Sequence, residues 1–143
     1  MKCINEMKMS LDSKSINEGF ARVAVAAFVS GIDPNIEELT DIKTAVSEAV
    51  TNAVVHGYSG SEGKIYITVN IYEKGFVRIK IRDKGIGIED VEKAMEPLFT
   101  TVGGERAGLG FAVMESFMDK VKVRSQPGKG TTVVMEKKVV GKR

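Results

Sequence analysis

The most informative segment of this sequence is SEAVTNAVVHG, residues 47–57. It closes a longer run whose apolar side chains gather on one arc at about 100° per residue, which predicts a helix over about 36–56. Glu48 lies opposite the centre of that arc, and Asn52 is only about 40° away from Glu48. The two side chains therefore stack one turn apart on the polar side of a helix that ends at Gly57.

This polar side of the helix has two interpretations. For Glu48 alone, the simpler one is a solvated helix face. Asn52 fits that interpretation less well, because asparagine is a weak helix former in a helix interior and its amide oxygen is a ligand that hard cations accept. His56 is interpreted as a favourable charge at the helix C-terminus rather than as a catalyst.

Two elements are predicted before this helix. Alternation of apolar and polar residues over 7–12 predicts a strand. Ser15 and Glu18 have the spacing of a capping box, which predicts that a helix begins there and ends near Gly31. Arg22 lies on a side of this helix that is otherwise polar. The apolar residues of the helix have helical spacing and are Ile16, Phe20, Val23, Ala24, Ala27 and Phe28.

Beyond the long helix, hairpins dominate the pattern. Two alternating segments joined at 73–75 predict a β-hairpin with one core face and one face that bears cations. The remaining predicted elements are a short helix at 89–95, a glycine-rich lid at about 98–110, a short helix at 111–117 and strands at about 120–125 and 131–137. This order lacks a regular strand–helix–strand alternation. We therefore expect an α/β protein of the α+β sandwich type, with a mixed, mostly antiparallel sheet covered by helices on one face.

Composition limits the class of protein. The 143 residues carry 21 Lys+Arg and 19 Asp+Glu, a formal net charge of +2, which does not favour sequence-independent binding to nucleic acid. A single cysteine excludes an internal disulfide, and no apolar run reaches the about 20 residues of a membrane span. We therefore expect one cytoplasmic domain over 1–143 with a short basic tail at 138–143, and neither a membrane nor a direct nucleic-acid partner.

A second motif, Asp83-Lys84-Gly85-Ile86-Gly87, ends the hairpin. Its glycines would let a backbone approach a ligand closely, and Asp83 can accept hydrogen bonds from an amino group. The same pattern also makes ordinary turns, so the motif by itself leaves both interpretations open. It is not an EF-hand loop, because glycines stand where Ca²⁺ ligands are required.

A third motif, Gly108-Leu109-Gly110, precedes the short helix that begins at Phe111. Glycines at a helix N-terminus free backbone N–H groups to hold phosphate, although a helix start alone also explains them. The motif follows a polar loop rather than a buried strand, which excludes a Rossmann fingerprint, and the chain has no Walker A pattern. Together the three motifs indicate a nucleotide site.

In this order and spacing, the motifs resemble the three boxes of the GHKL ATPase and kinase superfamily. The boxes are Glu48-x-x-x-Asn52-x-x-x-His56-Gly57, Asp83-x-Gly85-x-Gly87 and Gly108-x-Gly110. Residues 5–137 are similar to the small bacterial anti-sigma serine kinases of the sporulation type, and residues 47–53 and 97–101 carry this closer match. The resemblance implies the Bergerat fold of GHKL ATPases and a site for ATP and Mg²⁺.

The resemblance also implies a role for each site residue. Glu48 would be the catalytic base, Arg106 would stabilise charge on the γ-phosphate, and Asn52 would be the metal ligand. ATP would be bound by Asn52, Asp83, Gly85, Gly87, Thr100, Thr101, Gly108, Gly110 and Thr131. Family lids often run Thr-Thr-Lys-Pro, whereas this lid reads Thr-Val-Gly-Gly over 101–104 and is one residue shorter, which leaves its contacts open.

The activity implied by the resemblance is that of a protein serine kinase and anti-sigma factor. Such a protein binds and inhibits a sporulation RNA polymerase sigma factor, for which Arg22 is a candidate contact. It phosphorylates an anti-anti-sigma protein on serine and forms a homodimer. Two alternatives stay open: a stress-response-type anti-sigma kinase with another sigma partner, and a binding module that uses the nucleotide without catalysis.

Overall fold

A computed structural model describes residues 1–59, 61–95 and 110–141. Its strands are β1 (Cys3–Asp12), β2 (Lys64–Tyr72), β3 (Phe76–Asp83), β4 (Lys120–Gln126) and β5 (Gly130–Lys138). They form one sheet in the order β1-β2-β3-β5-β4, and each neighbouring pair is antiparallel. The predicted α/β architecture is confirmed, and in the described residues the sheet is antiparallel throughout rather than mixed.

The helices in the described ranges are α1 (Asn17–Val29), α2 (Ile36–Thr51), α3 (Val91–Met95) and α4 (Phe111–Phe117). A π-helical turn, Asn52–Gly57, continues α2, so the predicted helix over 36–56 is confirmed apart from this wider final turn. Both α1 and α4 pack against α2. None of the helices in these ranges is long and apolar enough to cross a membrane.

The core lies between the helices and one face of the sheet. Strand residues two apart point to the same face, and the alternation in β2 and β3 follows that period. Full burial of each such aliphatic side chain contributes about 1.5–3 kcal/mol. The buried strand residues are Ile65, Ile67, Val69, Ile71, Val77, Ile79 and Ile81, and they share one cluster with Ile42, Val46 and Val50 of α2.

The opposite face of the sheet bears cations, as predicted. Lys80 and Arg82 are exposed there, and Arg78 pairs with Glu136 of β5 at 2.9 Å. The helices that build the core and the cations of β3 therefore lie on opposite sides of the sheet.

The beginning of α1 differs from the prediction. Ile16 occupies the N-cap position without a side-chain capping bond, so the predicted capping box of Ser15 and Glu18 is wrong. The carboxylate of Glu18 instead accepts a hydrogen bond from Ser47 Oγ of α2 at 2.8 Å and pairs with Arg22 at 3.3 Å. Packing of α1 against α2 thus gives Glu18 partners that local spacing does not reveal.

The buried face of α1 consists mainly of small side chains. Ala21, Val25 and Val29 are fully buried, whereas Phe20 and Val23 are each 59% exposed. These buried residues are four apart, so they lie on one side of α1, the side that packs against α2. Their small size lets the two helices approach closely. Of the larger apolar residues that gave α1 its helical pattern, Phe20 and Val23 are left at the surface, whereas Phe28 packs against the core.

A capping box that the sequence pattern did not single out begins α2. Asn35 Oδ1 accepts a hydrogen bond from the Glu38 N–H at 2.8 Å, and Glu38 Oε1 accepts one from the Asn35 N–H at 2.9 Å. The Glu38 carboxylate also accepts bonds from the N–H groups of Val140 at 2.6 Å and Gly141 at 3.1 Å. We call these four residues the Glu38 clamp, since they tie the C-terminal segment to the start of α2.

Candidate functional site

The end of α2, the end of β3 and the beginning of β5 surround a small cleft. Four residues predicted for the site line the cleft, namely Asn52, Asp83, Gly87 and Thr131, and His56 lies with them. Motifs from distant parts of the sequence therefore meet in one place.

Asp83, the last residue of β3, is only 6% exposed. Its Oδ1 accepts a hydrogen bond from the Gly85 N–H at 2.9 Å, and the Thr131 N–H also donates to this carboxyl. Burial raises the pKa of Asp83, and the two backbone bonds partly offset that effect. The result is a buried acceptor at the wall of the cleft, suited to an N–H donor of a ligand.

Gly57 and Gly85 bring the end of the π-helical turn against the loop that follows β3. The Ile86 N–H donates to the Gly57 carbonyl oxygen at 2.8 Å. A Cβ at Gly85 would overlap that carbonyl oxygen, and a Cβ at Gly57 would lie 2.8 Å from Oδ2 of Asp83. The close approach that the structure shows at Gly85 is therefore to the backbone of Gly57, and it fixes Asp83 beside the end of α2.

Gly87 lies at the edge of the cleft with a left-handed backbone. Its φ is +79°, and a Cβ there would overlap the carbonyl oxygen of Gln126. Only glycine accepts both conditions without strain. Glycine is therefore required at position 87 by the backbone conformation and by the contact with the end of β4, independently of any ligand in the cleft.

Thr131 lies opposite Asp83 in the ladder between β3 and β5. It is 8% exposed, and its Oγ1 is 2.8 Å from Oγ of Ser125 on β4. The register of the sheet therefore places a buried hydroxyl beside the buried carboxyl of Asp83.

Asn52 is 8% exposed and does not lie on a solvated face. Its donor chemistry fits Mg²⁺, which prefers oxygen ligands, keeps several waters and takes few groups from the protein. The described ranges contain no group of three or more His, Cys, Asp or Glu that could hold a metal. Ligand phosphates and water are the groups that would complete the coordination of Mg²⁺ at Asn52.

Glu48 is half-buried and lies against Gly110, the N-cap residue of α4. Gly110 has a φ of +63°, and a Cβ there would overlap Oε2 of Glu48. Burial raises the pKa of Glu48, and the negative charge of Glu18 adds to the effect. The first motif therefore meets the end of the third beside the cleft, at a carboxylate with increased proton affinity.

The other residues predicted for the site are Thr100, Thr101, Arg106 and Gly108. All four lie outside the described residues, as does the lid from 98 to 109. Their roles stay predictions.

Comparison with known proteins gives a consistent assignment. A sequence profile for the histidine kinase-like ATPase domain matches residues 11–137. The anti-sigma F factor of Clostridium novyi (strain NT) is 56% identical over 137 residues, which cover 94% of this chain and 95% of the relative. That of Priestia megaterium is 51% identical over 135 residues, which cover 93% and 92%. The chain belongs to the anti-sigma F factor family.

Solved structures show the same fold for this family member. The RsbU and RsbW domains of Rv1364c from Mycobacterium tuberculosis align with a TM-score of 0.68 at 21% identity, covering 94% of this chain and 32% of that one. The catalytic domain of the histidine kinase ThkA aligns with a TM-score of 0.58 at 21% identity, covering 95% and 97%. The predicted fold of GHKL ATPases, a nucleotide-binding fold, is confirmed.

Two supporting residues of this anti-sigma F family cleft were missed from the sequence. The buried hydroxyl of Tyr58 donates to the Lys64 carbonyl oxygen at 2.5 Å and accepts from the Lys84 N–H at 2.8 Å, which braces the segment that follows Asp83. Ser125 contacts Thr131, as described above. Tyr58 follows a helix-ending glycine and Ser125 lies in an ordinary strand pattern, so neither carries a local signal.

Proposed function

We propose that this member of the anti-sigma F factor family is an ATP-dependent protein serine kinase and an anti-sigma factor of the cytoplasm. It binds and inhibits a sporulation sigma factor of RNA polymerase and phosphorylates an anti-anti-sigma protein on serine. The observation that carries the proposal is the meeting of Asn52 and Asp83 in one cleft, with Glu48 beside it at Gly110.

In this proposal the purine of ATP lies against Asp83 and Thr131. Asp83 is 6% exposed and Thr131 is 8% exposed. The carboxyl of the first and the hydroxyl of the second are acceptors suited to an exocyclic amino group. Gly85 and Gly87 shape that end of the cleft, and Asn52 holds Mg²⁺, which neutralises phosphate charge when bound. Thr100, Thr101, Gly108 and Gly110 hold the phosphates.

Glu48 acts as the general base. The substrate serine oxygen attacks the γ-phosphorus of ATP, the bond from that phosphorus to the β–γ bridging oxygen breaks, and ADP leaves. The serine proton passes to the Glu48 carboxylate, whose raised pKa makes it a better proton acceptor than a carboxylate in water. Arg106 stabilises the charge that develops on the transferred group.

The exposed stripe of α1 is the proposed contact for the sigma factor. Phe20 and Val23 are apolar and exposed, and Arg22 lies between them in sequence with its side chain 42% exposed. Arginine is among the residues enriched in binding hot spots.

The protein is also proposed to be a homodimer. Sedimentation at micromolar concentration is expected to give twice the mass of the chain. The mass of a single chain would contradict this proposal.

Phosphoryl transfer tests the catalytic part of the proposal. Purified wild-type protein is incubated with Mg²⁺, γ-labelled ATP and a candidate anti-anti-sigma protein, and label on serine is measured. Since a general base contributes about 10²–10⁴-fold, Glu48→Gln is expected to lower the rate by that factor while ADP affinity stays close to that of the wild type. Glu37→Gln, at an exposed position of α2, is the matched control.

Each other outcome points to a different correction. Near-normal transfer by Glu48→Gln would remove Glu48 as the base. ATP binding without transfer by the wild type would favour the non-catalytic binding module. Tight binding to a stress-response sigma factor and none to the sporulation one would favour the other anti-sigma class.

A further inference from the structure

Ser125 lies on β4, behind Thr131, and its hydroxyl contacts three groups. Oγ accepts a hydrogen bond from the Ile88 N–H at 2.7 Å. It lies 3.0 Å from the carbonyl oxygen of Gly130 and 2.8 Å from Oγ1 of Thr131. The side chain thus connects the loop after β3, the turn before β5 and the wall of the cleft.

The direction of each bond follows from counting protons. A serine hydroxyl has one proton and two lone pairs. The carbonyl oxygen of Gly130 can only accept, so we assign the proton of Ser125 to this bond. The Ile88 N–H takes one lone pair of Ser125. The other lone pair is then left for Thr131, whose hydroxyl in this assignment donates its proton to Ser125.

This arrangement restricts what Thr131 can offer to a ligand. With its proton held by Ser125, Thr131 Oγ1 can only accept a hydrogen bond from the cleft. Asp83 is the neighbouring acceptor, and its carboxyl already receives the N–H groups of Gly85 and Thr131. Two neighbouring acceptors favour binding of a ligand that presents an amino group to them. They disfavour a ligand that presents a carbonyl oxygen, because that oxygen would face two acceptors and no donor.

We propose that Ser125 is a positioning residue that sets the base preference of the nucleotide site by keeping Thr131 an acceptor. The inference rests on the proposed function, since it takes the ligand of the cleft to be a purine nucleotide. Ser125 selects a purine with an amino group against one that carries a carbonyl oxygen at the same ring position.

The test compares ADP with inosine diphosphate, which has a carbonyl oxygen in place of that amino group and, in its keto form, a proton on the neighbouring ring nitrogen N1. Kd values for both are measured by calorimetry on the full chain, for wild type, Ser125→Ala and Ser125→Thr. Without the Ser125 hydroxyl, Thr131 can turn and donate to the carbonyl oxygen. The ratio of Kd for inosine diphosphate to Kd for ADP is expected to fall by about two- to tenfold in Ser125→Ala, the value of one hydrogen bond. Ser125→Thr should restore it.

Two further variants separate this role from simple support of the loop. Ser116→Ala, which removes an exposed hydroxyl on α4, should leave the ratio unchanged. Thr131→Val removes the hydroxyl through which Ser125 acts, so Ser125→Ala should have no further effect on the ratio in that background. The thermal midpoint of each variant shows that it is folded.

The possible results are distinct. If Ser125→Ala weakens both nucleotides equally, Ser125 only supports the backbone at Ile88 and the inference is overturned. The inference is also overturned if Ser125→Ala still changes the ratio of the two Kd values in the Thr131→Val background. If the wild type binds neither nucleotide, the proposed function itself fails, and this inference with it.

Discussion

Asn52 marks the point where α2 changes from an α-helix to a π-helical turn. Such turns are rare, and they frequently occur at functional sites. Here the turn carries Asn52 and His56 on the wall of the cleft and ends at Gly57, which contacts the loop of Asp83. A residue with poor helix propensity is therefore tolerated where the helix leaves its regular path.

Replacement of Asn52 tests the metal site. If its amide oxygen holds Mg²⁺, Asn52→Ala should weaken ADP binding in the presence of Mg²⁺ by at least about tenfold, because even outer contacts of a metal site contribute about 10–100-fold. In EDTA the variant and wild type should bind ADP equally. Calorimetry with and without Mg²⁺ measures both. Thr51→Ala, its exposed neighbour, is the control, and an undiminished Mg²⁺ effect in Asn52→Ala would remove Asn52 as the ligand.

At the scale of the elements, the Glu38 clamp joins α2 to the segment after β5. Burial by itself would raise the pKa of Glu38. Hydrogen bonds from the N–H groups of Asn35, Val140 and Gly141, together with the charge of Lys137, outweigh that effect and hold the pKa below its ordinary value. The ionised form is thus favoured in the folded protein, and the clamp stabilises the fold more when Glu38 is ionised than when it is protonated.

Glu38→Gln should therefore lower the free energy of unfolding in a pH-dependent way. A folded pKa below the unfolded one gives stability that is present above the unfolded pKa, about 4.3, and is lost as pH falls through the folded value. At pH 7 we expect a loss of about 1–3 kcal/mol, since an amide cannot accept all these bonds. The loss should shrink below about pH 4. Urea unfolding at several pH values measures it.

Glu37→Gln is the matched control for the clamp, because Glu37 is the exposed carboxylate next in sequence. It should change stability by only a few tenths of a kcal/mol, about the value of one charge at a helix N-terminus. A Glu38→Gln penalty that did not vary with pH would show that the ionised carboxylate is not what holds the C-terminal segment.

For the whole molecule, the two exposed surfaces differ in character. The open face of the sheet is cationic and α1 is largely apolar, with Arg22 paired to Glu18. We expect Arg22→Glu to weaken binding of the sigma factor by at least about tenfold, a loss typical of an interface arginine. Arg124→Glu makes the same charge change on β4, away from α1, and is the control. Equal affinity of the Arg22 variant and wild type, measured by calorimetry, would exclude α1 as the contact.

Local patterns predicted most of the secondary structure and the identity of the motifs. The alternation in β2 and β3 and the apolar arc of α2 follow from backbone geometry, so one sequence suffices to read them. The pattern failed in α1, because Phe20 and Val23 are apolar yet exposed while small residues such as Ala21 form the contact with α2. The capping box was also misplaced, since several segments satisfy the same spacing.

The sequence by itself determined the helix and strand periods, the three motifs and the likeness to anti-sigma kinases. Tertiary structure alone determined that Asn52 is buried, that Glu48 meets Gly110, and that the hydroxyls of Thr131 and Ser125 lie within hydrogen-bond distance. The physical reason is range. Periods and turns depend on neighbours along the chain, whereas burial and contacts between side chains depend on groups that only folding brings together.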